Sequence, residues 1–249
     1  MHTYQRINVH QFEDRRRMGA AAAAAVAGRV HALLQSQPYI SMIFAAAPSQ
    51  QEFLEAFRAD PSIPWDRIHA FHMDEYIGLP ANAPQGFGNF LRERLFGLVP
   101  FRSVHYLDGQ TNDANAECER YAGLLNGGTD IVCMGVGENT HIAFNDPHVA
   151  DFNDPKLVKV VDLDDACRQQ QVNDGCFASL QDVPTHALTL TVPALYRGTW
   201  IYCMVPGAAK AEAVRHTLQS PISAQHPSTI LRKHPRAALF IDKDSAALL

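Results

Sequence analysis

Short apolar runs alternate with helix-like segments along most of the chain, and this alternation constrains the fold more than any other feature. The apolar runs show no clean alternation of apolar and polar residues, as expected for strands covered on both faces. Strands that alternate with helices indicate a parallel sheet. We therefore predict an α/β fold, a single doubly wound, Rossmann-like domain over residues 1–249, with a mainly parallel sheet flanked by helices. The predicted strands are 39–47, 67–73, 103–109, 130–137, 186–192, 199–207 and 237–242, and the predicted helices are 12–36, 49–59, 87–96, 113–126 and 208–219.

The segment 148–185 departs from this pattern because it is polar and irregular. We predict an elaborate loop that contains a helix, and the segment is a candidate lid. No linker, repeat or low-complexity stretch divides the chain elsewhere, which favours one domain.

Composition narrows the class of protein. Hydrophobic residues make up 47% of the 249 positions, which is enough for a sizeable core. A net charge of −5, with scattered positive charge, argues against nucleic acid or a membrane surface as a partner. No run approaches the roughly 20 apolar residues of a membrane span. The five cysteines include no CxxC pair, so we expect reduced thiols and a cytoplasmic protein.

Polar residues gather where four of the predicted strands end. Ser49 and Gln50 follow the first of these strands, Asp74 and Glu75 the second, the stretch 135–146 the third, and Lys210 the fourth. Ligands of open parallel sheets bind outside the carboxyl ends of the strands. We therefore expect these four segments to meet at one edge.

The acidic pair in MDEYIGLP is a candidate general base. A carboxylate just past a buried strand is partly desolvated and can act as a base at neutral pH. Adjacent residues of an extended chain point in opposite directions, so one of Asp74 and Glu75 should face the cleft while the other supports it. A solvated turn with a helix cap explains the same spacing equally well.

The stretch GVGENTHIAFNDP, residues 135–147, carries two glycines that let a backbone approach a ligand closely, as in anion-binding turns. It is not a dinucleotide fingerprint, because the third glycine of GxGxxG is missing. His141 could pair with Asp146 and act as an acid and base, although a lone histidine is more often structural.

Lys210 lies near a helix N-terminus, where the helix dipole disfavours a cation. A bound phosphate would reverse that balance. An exposed surface lysine is the alternative.

Together these segments resemble the glucosamine-6-phosphate deaminase/isomerase family, which shares its fold with 6-phosphogluconolactonases. The similar segments occur in the same order from about residue 39 to residue 242. They are FHMDEYIGLP, GVGENTHIAFNDP, VPTHALTLTVPAL, VPGAAKAEAVRHTL and LRKHPRAALFID.

The resemblance implies a reaction: conversion of an amino-sugar 6-phosphate, most often glucosamine 6-phosphate, to a ketose phosphate and ammonia, without a metal or organic cofactor. By resemblance Asp74 moves a proton between C2 and C1, and His141 opens the sugar ring. Asp146 orients His141, and Asn139 hydrogen-bonds its imidazole. The expected substrate contacts are Ser49, Glu75, Gly137 and Lys210. Because some members of the family are hexamers, a homo-oligomer is a candidate assembly.

The chain departs from the family pattern at four places. Asn139-Thr140 stands where the pattern has Asp-Gly, and Asp146 stands where it has Glu. The Gly-rich phosphate loop is replaced by AAAPSQ, so that Ser49 and nearby N–H groups are its substitutes. The family's phosphate-binding arginine has no clear match, although Arg168 is near in sequence.

Two other functions stay open on these residues. One is a 6-phosphogluconolactonase, or an isomerase of another sugar phosphate, on the same fold; lactonases lack IAFN after the histidine. The other is a non-catalytic sugar-phosphate sensor, which would not need the base Asp74.

Overall fold

The computed structural model of the protein describes residues 7–249, which form ten strands and seven α-helices. The strands are β1 (Asn8–Phe12), β2 (Ile40–Phe44), β3 (Ile68–His72), β4 (Asp74–Tyr76), β5 (Ser103–His105), β6 (Ile131–Met134), β7 (Val158–Asp162), β8 (His186–Leu190), β9 (Trp200–Val205) and β10 (Ala237–Asp242). The α-helices are α1 (Arg15–Leu34), α2 (Gln51–Arg58), α3 (Phe87–Leu91), α4 (Ala114–Leu125), α5 (Asp165–Asn173), α6 (Val192–Tyr196) and α7 (Ala211–Gln219).

The main sheet has seven strands in the order β1-β10-β9-β6-β2-β3-β5, and every pair of neighbours is parallel. From β2 the chain builds outward through β3 to β5, and it then returns to place β6 on the other side of β2. The strand order therefore reverses between β2 and β6, and ligands of such sheets bind in the crevice at that switch point. The predicted doubly wound α/β fold is confirmed.

Helices cover both faces of the main sheet, and each face has its own apolar cluster. Successive strand residues point to opposite faces, so Met42 packs into the cluster beneath α1 and α2, whereas Ile43 packs into the cluster beneath α4 and α7. This burial on both faces explains why the strands appear in the sequence as continuous apolar runs.

A second, three-stranded antiparallel sheet, in the order β4-β8-β7, lies beside the main one. The predicted strand 186–192 therefore exists as β8, but outside the parallel sheet. Three strands were not predicted, β1, β4 and β7. Only Val158 and Val161 of β7 are buried, and the strand includes Lys159 and Asp162, so it lacks a continuous apolar run.

Local signals set several helix bounds. The Asp14 side chain accepts a hydrogen bond from the backbone N–H of Arg17 and so begins α1. The predicted helix 87–96 is α3 followed by a π-helix, Arg92–Phe96. The segment 148–185 contains α5, as predicted, together with β7; that it acts as a lid stays a prediction.

The five cysteines are all free, in agreement with the expectation of reduced thiols. Within residues 7–249, no helix combines the length and the apolar character that crossing a membrane requires.

Candidate active site

A cavity opens at the carboxyl edge of the main sheet, beside the switch point. Its walls include the loop 45–50 after β2, Asp74 after β3, the turn 135–144 after β6 and Lys210 after β9. The prediction that these four segments meet at one edge is confirmed. Phe87 at the start of α3 and two glutamines of α5 complete the walls.

Asp74 is the carboxylate that faces the cavity, and it is buried. Burial raises the pKa of the Asp74 carboxyl well above its ordinary range, and the neighbouring Glu75 carboxylate adds to the effect. A carboxylate with a raised pKa is a stronger base, so Asp74 is suited to take a proton from carbon.

Glu75 points the other way and does not line this cavity, which corrects the expectation that it contacts the substrate. Its carboxylate accepts the backbone N–H groups of Tyr76 (3.0 Å), Phe87 (3.0 Å) and Gly88 (2.8 Å). Successive residues of β4 alternate in direction. Glu75 therefore joins β4 to the start of α3 behind Asp74.

His141 lies in the cavity wall with its Nδ1 directed away into a polar cluster. Nδ1 is 2.7 Å from Asn139 Oδ1 and 3.0 Å from Asp146 Oδ1. The Asn139 amide is oriented by the backbone N–H of His141, which donates to Oδ1, and by Asp146, which accepts from Nδ2. Both neighbours of Nδ1 are therefore acceptors, and Nδ1 carries the hydrogen. The neutral ring then has its lone pair on Nε2.

Asp146 is fully buried behind His141. Burial alone would raise the pKa of its carboxyl, but hydrogen bonds and charge from His141, with a hydrogen bond from Asn139, outweigh it and lower the pKa. Asp146 is thus an ionised group that stabilises a protonated imidazole.

Gly137 lies directly under the His141 ring. A Cβ at this position would overlap the imidazole atoms Cε1, Nε2 and Nδ1. Gly137 lines the cavity, but the space that its missing Cβ leaves is filled by the imidazole; that Gly137 contacts the substrate stays a prediction.

Lys210 is buried at the N-terminal end of α7, after the turn at Gly207. Within residues 7–249 its ammonium forms no ion pair. Burial lowers the pKa of Lys210. A buried cation without a counter-ion is costly, and an anionic ligand in the cavity would relieve that cost.

Ser49 lies in the cavity wall, and its hydroxyl is 3.3 Å from Gln50 Nε2, which also donates to the Met204 carbonyl at 3.1 Å. Gly135 makes this possible, because a Cβ there would crowd Gln50.

Sequence reasoning missed Gln170 and Gln171, which α5 places in the cavity wall. Gln170 Oε1 accepts the backbone N–H of Glu138 at 2.8 Å. The buried Gln171 amide is free of hydrogen bonds to other described residues. Arg168 is not at the cavity, since it bonds Asp165 and the carbonyls of Leu180 and Val183. The only sequence signal for this part of the cavity wall is the helix predicted within residues 148–185.

Two groups of side chains could hold a metal ion within residues 7–249. His141, Asp146 and Cys167 form one, and Asp146, His148 and Asp164 form the other, with the donor atoms of each group within 4.8 Å of one another. In the first group, His141 Nδ1 already donates to Asp146 and Asn139, so a metal would have to displace that hydrogen.

Comparison with known proteins gives a consistent result. The family described as glucosamine-6-phosphate isomerases/6-phosphogluconolactonase matches residues 13–240. A glucosamine-6-phosphate deaminase of Bacillus cereus (strain G9842) is 34% identical over 183 residues, which cover 73% of this chain and 68% of the relative. The chain belongs to this family.

Solved structures agree with the assignment to the glucosamine-6-phosphate isomerase/6-phosphogluconolactonase family. A monomeric glucosamine-6-phosphate deaminase superposes with a TM-score of 0.88 at 26% identity and covers 98% of this chain and 100% of its own. A 6-phosphogluconolactonase of Thermotoga maritima superposes with a TM-score of 0.78 at 21% identity, covering 95% and 100% of the two chains, and shares the fold.

The departures from the family pattern have structural counterparts. Thr140, where the pattern has Gly, adopts a φ of 73°, which is strained for a β-branched residue and costs on the order of 1–3 kcal/mol. Ser228 helps to hold this turn by donating its N–H to the Thr140 carbonyl at 3.0 Å. Asp146, shorter than the usual Glu, still reaches His141.

Proposed function

We propose that the protein is a glucosamine-6-phosphate deaminase, which converts an amino-sugar 6-phosphate to fructose 6-phosphate and ammonia. One observation carries the proposal: a buried base, an imidazole with a free nitrogen and an unpaired buried cation line a single cavity. Each group matches one requirement of the reaction.

The phosphate binds at Lys210 in this proposal. Lys210 is the only cationic side chain in the cavity wall within residues 7–249, apart from a protonated His141. A phosphate dianion would therefore depend on neutral donors for its remaining oxygens. The Ser49 hydroxyl and the free amide of Gln171 are such donors.

Ring opening falls to His141. Its Nε2 lone pair can take the proton of the O1 hydroxyl and deliver a proton to the ring oxygen. Asp146 and Asn139 hold Nδ1–H throughout, so the ring keeps its tautomer, and the Asp146 carboxylate stabilises the positive charge that appears on the imidazole.

Asp74 carries out the isomerisation. It takes the proton from C2 of the open-chain aldehyde while O1 gains a proton, which gives an enolamine. The Asp74 carboxyl, whose proton exchanges with solvent, then donates a proton to C1, and loss of one proton from the amine leaves a ketimine at C2. Addition of one water to that imine and loss of its nitrogen then give the ketose phosphate and one ammonia. Atoms balance as one amino sugar phosphate plus one water.

The alternatives share the phosphate site but not the base. A lactonase would act on an ester without transfer of a proton between carbons, and a sensor would gain nothing from a buried carboxylate next to its ligand. Burial of the Asp74 carboxyl destabilises the unliganded protein. Its presence in the cavity wall therefore favours a catalytic role.

The test incubates the protein with glucosamine 6-phosphate in D₂O and measures ammonia, ketose phosphate and deuterium at C1. We expect wild type to release equal amounts of both products with deuterium at C1. Asp74→Asn should bind substrate but lose at least 100-fold in rate, the lower end of the roughly 100- to 10,000-fold range typical of acid–base groups. Asp130→Asn is the matched control, because Asp130 accepts the Ser41 N–H at the opposite edge of the sheet. Hydrolysis of 6-phosphogluconolactone without release of ammonia would favour the lactonase, and binding without turnover would favour the sensor.

A further inference from the structure

His72, the last residue of β3, is fully buried and connects two backbone groups near the cavity. Its Nδ1 lies 2.9 Å from the carbonyl oxygen of Asp74, and its Nε2 lies 2.9 Å from the backbone nitrogen of Leu107. The ring packs edge-on against Tyr106 and Tyr121.

The two bonds fix the tautomer of His72. The Leu107 N–H can only donate, so Nε2 is the acceptor and carries no hydrogen. Nδ1 then carries the hydrogen and donates to the Asp74 carbonyl. Burial lowers the pKa of His72 to about 4, so the ring is neutral and keeps both bonds at physiological pH.

The Asp74 carbonyl needs this donor because of its place in the small sheet. β4 is an edge strand that pairs only with β8. Leu190 N–H donates to Met73 and Ile77 N–H donates to His186, so these residues form the hydrogen-bonded pairs of the ladder. Asp74, one residue on from Met73, faces Thr189 in a pair without hydrogen bonds, and its carbonyl points away from β8.

We propose that His72 is a positioning residue, which fixes the backbone of Asp74 by supplying the hydrogen bond that a further strand would otherwise give. The inference rests on the proposed function of Asp74 as the base. In effect, β3 holds the catalytic carboxylate through one imidazole, although Asp74 itself lies in the other sheet.

The structure indicates which substitutions separate the two bonds. The side-chain nitrogen of Asn is as far from the backbone as Nδ1 of His, so His72→Asn keeps the bond to Asp74 and loses the bond to Leu107. The longer Gln reaches the position of Nε2, so His72→Gln keeps Leu107 and loses Asp74. His72→Leu loses both.

His234 provides a matched control for stability. It is also buried, with one ring nitrogen accepting the Arg236 N–H at 3.1 Å and the other 2.9 Å from the Gly198 carbonyl. This site lies away from the cavity. His234→Leu therefore removes the same kind of bridge without touching Asp74.

The experiment measures KM, and kcat normalised to the concentration of folded protein. Hydrogen–deuterium exchange of residues 73–77 is a second readout that does not depend on turnover. We expect kcat to fall about 10- to 100-fold in His72→Leu and His72→Gln, with KM changed less than threefold, because a misplaced base slows chemistry without affecting the phosphate site. His72→Asn should recover most of the lost kcat and the protection of β4. His234→Leu should lower the melting temperature but leave kcat near wild type.

Equal rates for His72→Asn and His72→Gln, or unchanged exchange of residues 73–77 in both His72→Gln and His72→Leu, would overturn the proposal. A wild type that releases no ammonia refutes the deaminase function alone. In that case the exchange data still decide whether His72 holds β4, since they require no substrate.

Discussion

Replacement of Lys210 by Met should stabilise the unliganded protein while it abolishes phosphate binding. Lys210 is 6% exposed, and its ammonium forms no ion pair within residues 7–249. Moving such an ion out of water costs several kcal/mol, and replacement of buried charges by apolar groups of similar volume often stabilises a protein. Methionine keeps the length of the side chain and adapts to an irregular cavity wall.

The expected gain is on the order of 1–3 kcal/mol at pH 7, because part of the buried surface opens to the cavity. That gain corresponds to roughly 2–4 °C per kcal/mol for a chain of this size. The sign of the pH dependence follows from the lowered pKa of Lys210. As pH rises from this folded value to about 10.4, the folded state loses its proton first, so wild type gains stability and the advantage of Lys210→Met shrinks.

Thermal melting at pH 7 and pH 9.5, with and without inorganic phosphate, tests this reasoning. Phosphate should raise the melting temperature of wild type and leave that of Lys210→Met unchanged. The control is Lys243→Met, since Lys243 is two-thirds exposed and pairs with Glu13 at the surface. A Lys210→Met protein that melts below wild type in the absence of phosphate would refute the argument from the unpaired ammonium.

Two further substitutions probe the surroundings of His141. Asn139→Asp would bring a carboxylate about as close to Asp146 as the amide nitrogen now is, 3.1 Å. Repulsion between the two carboxylates should raise the pKa of the pair in the folded state, so the variant should lose about 1–3 kcal/mol of folding stability at pH 7 and regain it as pH falls toward 4. The measurement is the difference in melting temperature from wild type, and a difference independent of pH would contradict this. Gly137→Ala should lower kcat about 10- to 100-fold with little change in KM, because its Cβ displaces the imidazole. Gly123→Ala, with open space around it, is the control, and equal rates for both variants would show that the ring is not held there.

The sequence predicts the parallel sheet and the meeting of four strand ends because both depend on local pattern. Apolar runs mark strands buried on both faces, and the carboxyl ends of parallel strands necessarily share an edge. The small antiparallel sheet is not predicted by this local pattern. Its strand β7 buries only two of its five residues and is interrupted by Lys159, so it gives no strand pattern in the sequence. Which sheet β8 joins is decided by its pairing with distant segments rather than by its own residues.

At the site, the sequence pattern identifies residues with reactive side chains, but it does not show in which direction those side chains point. The sequence indicates that one of Asp74 and Glu75 faces the cleft, but only the three N–H groups that bind Glu75 show which one. Gln171 lies in no motif, and His72, although it lies within FHMDEYIGLP, gives no sign in the sequence of what its ring contacts. The unpaired amide of Gln171 and the fixed tautomer of His72 depend on contacts with residues that are distant in the sequence.

The pairing of β1 with β10 has a consequence for biosynthesis. Asn8 lies opposite Ala238 and Phe12 opposite Asp242, so β1 finds its partner only after about 225 further residues have been synthesised. Until then β1 has no place in the sheet and the outer edge of β9 is bare, which exposes the nascent chain to aggregation. The same late strand carries Asp242, whose carboxylate accepts the Gly207 N–H and holds the turn before Lys210. The turn before Lys210 is therefore fixed only after β10 has been synthesised.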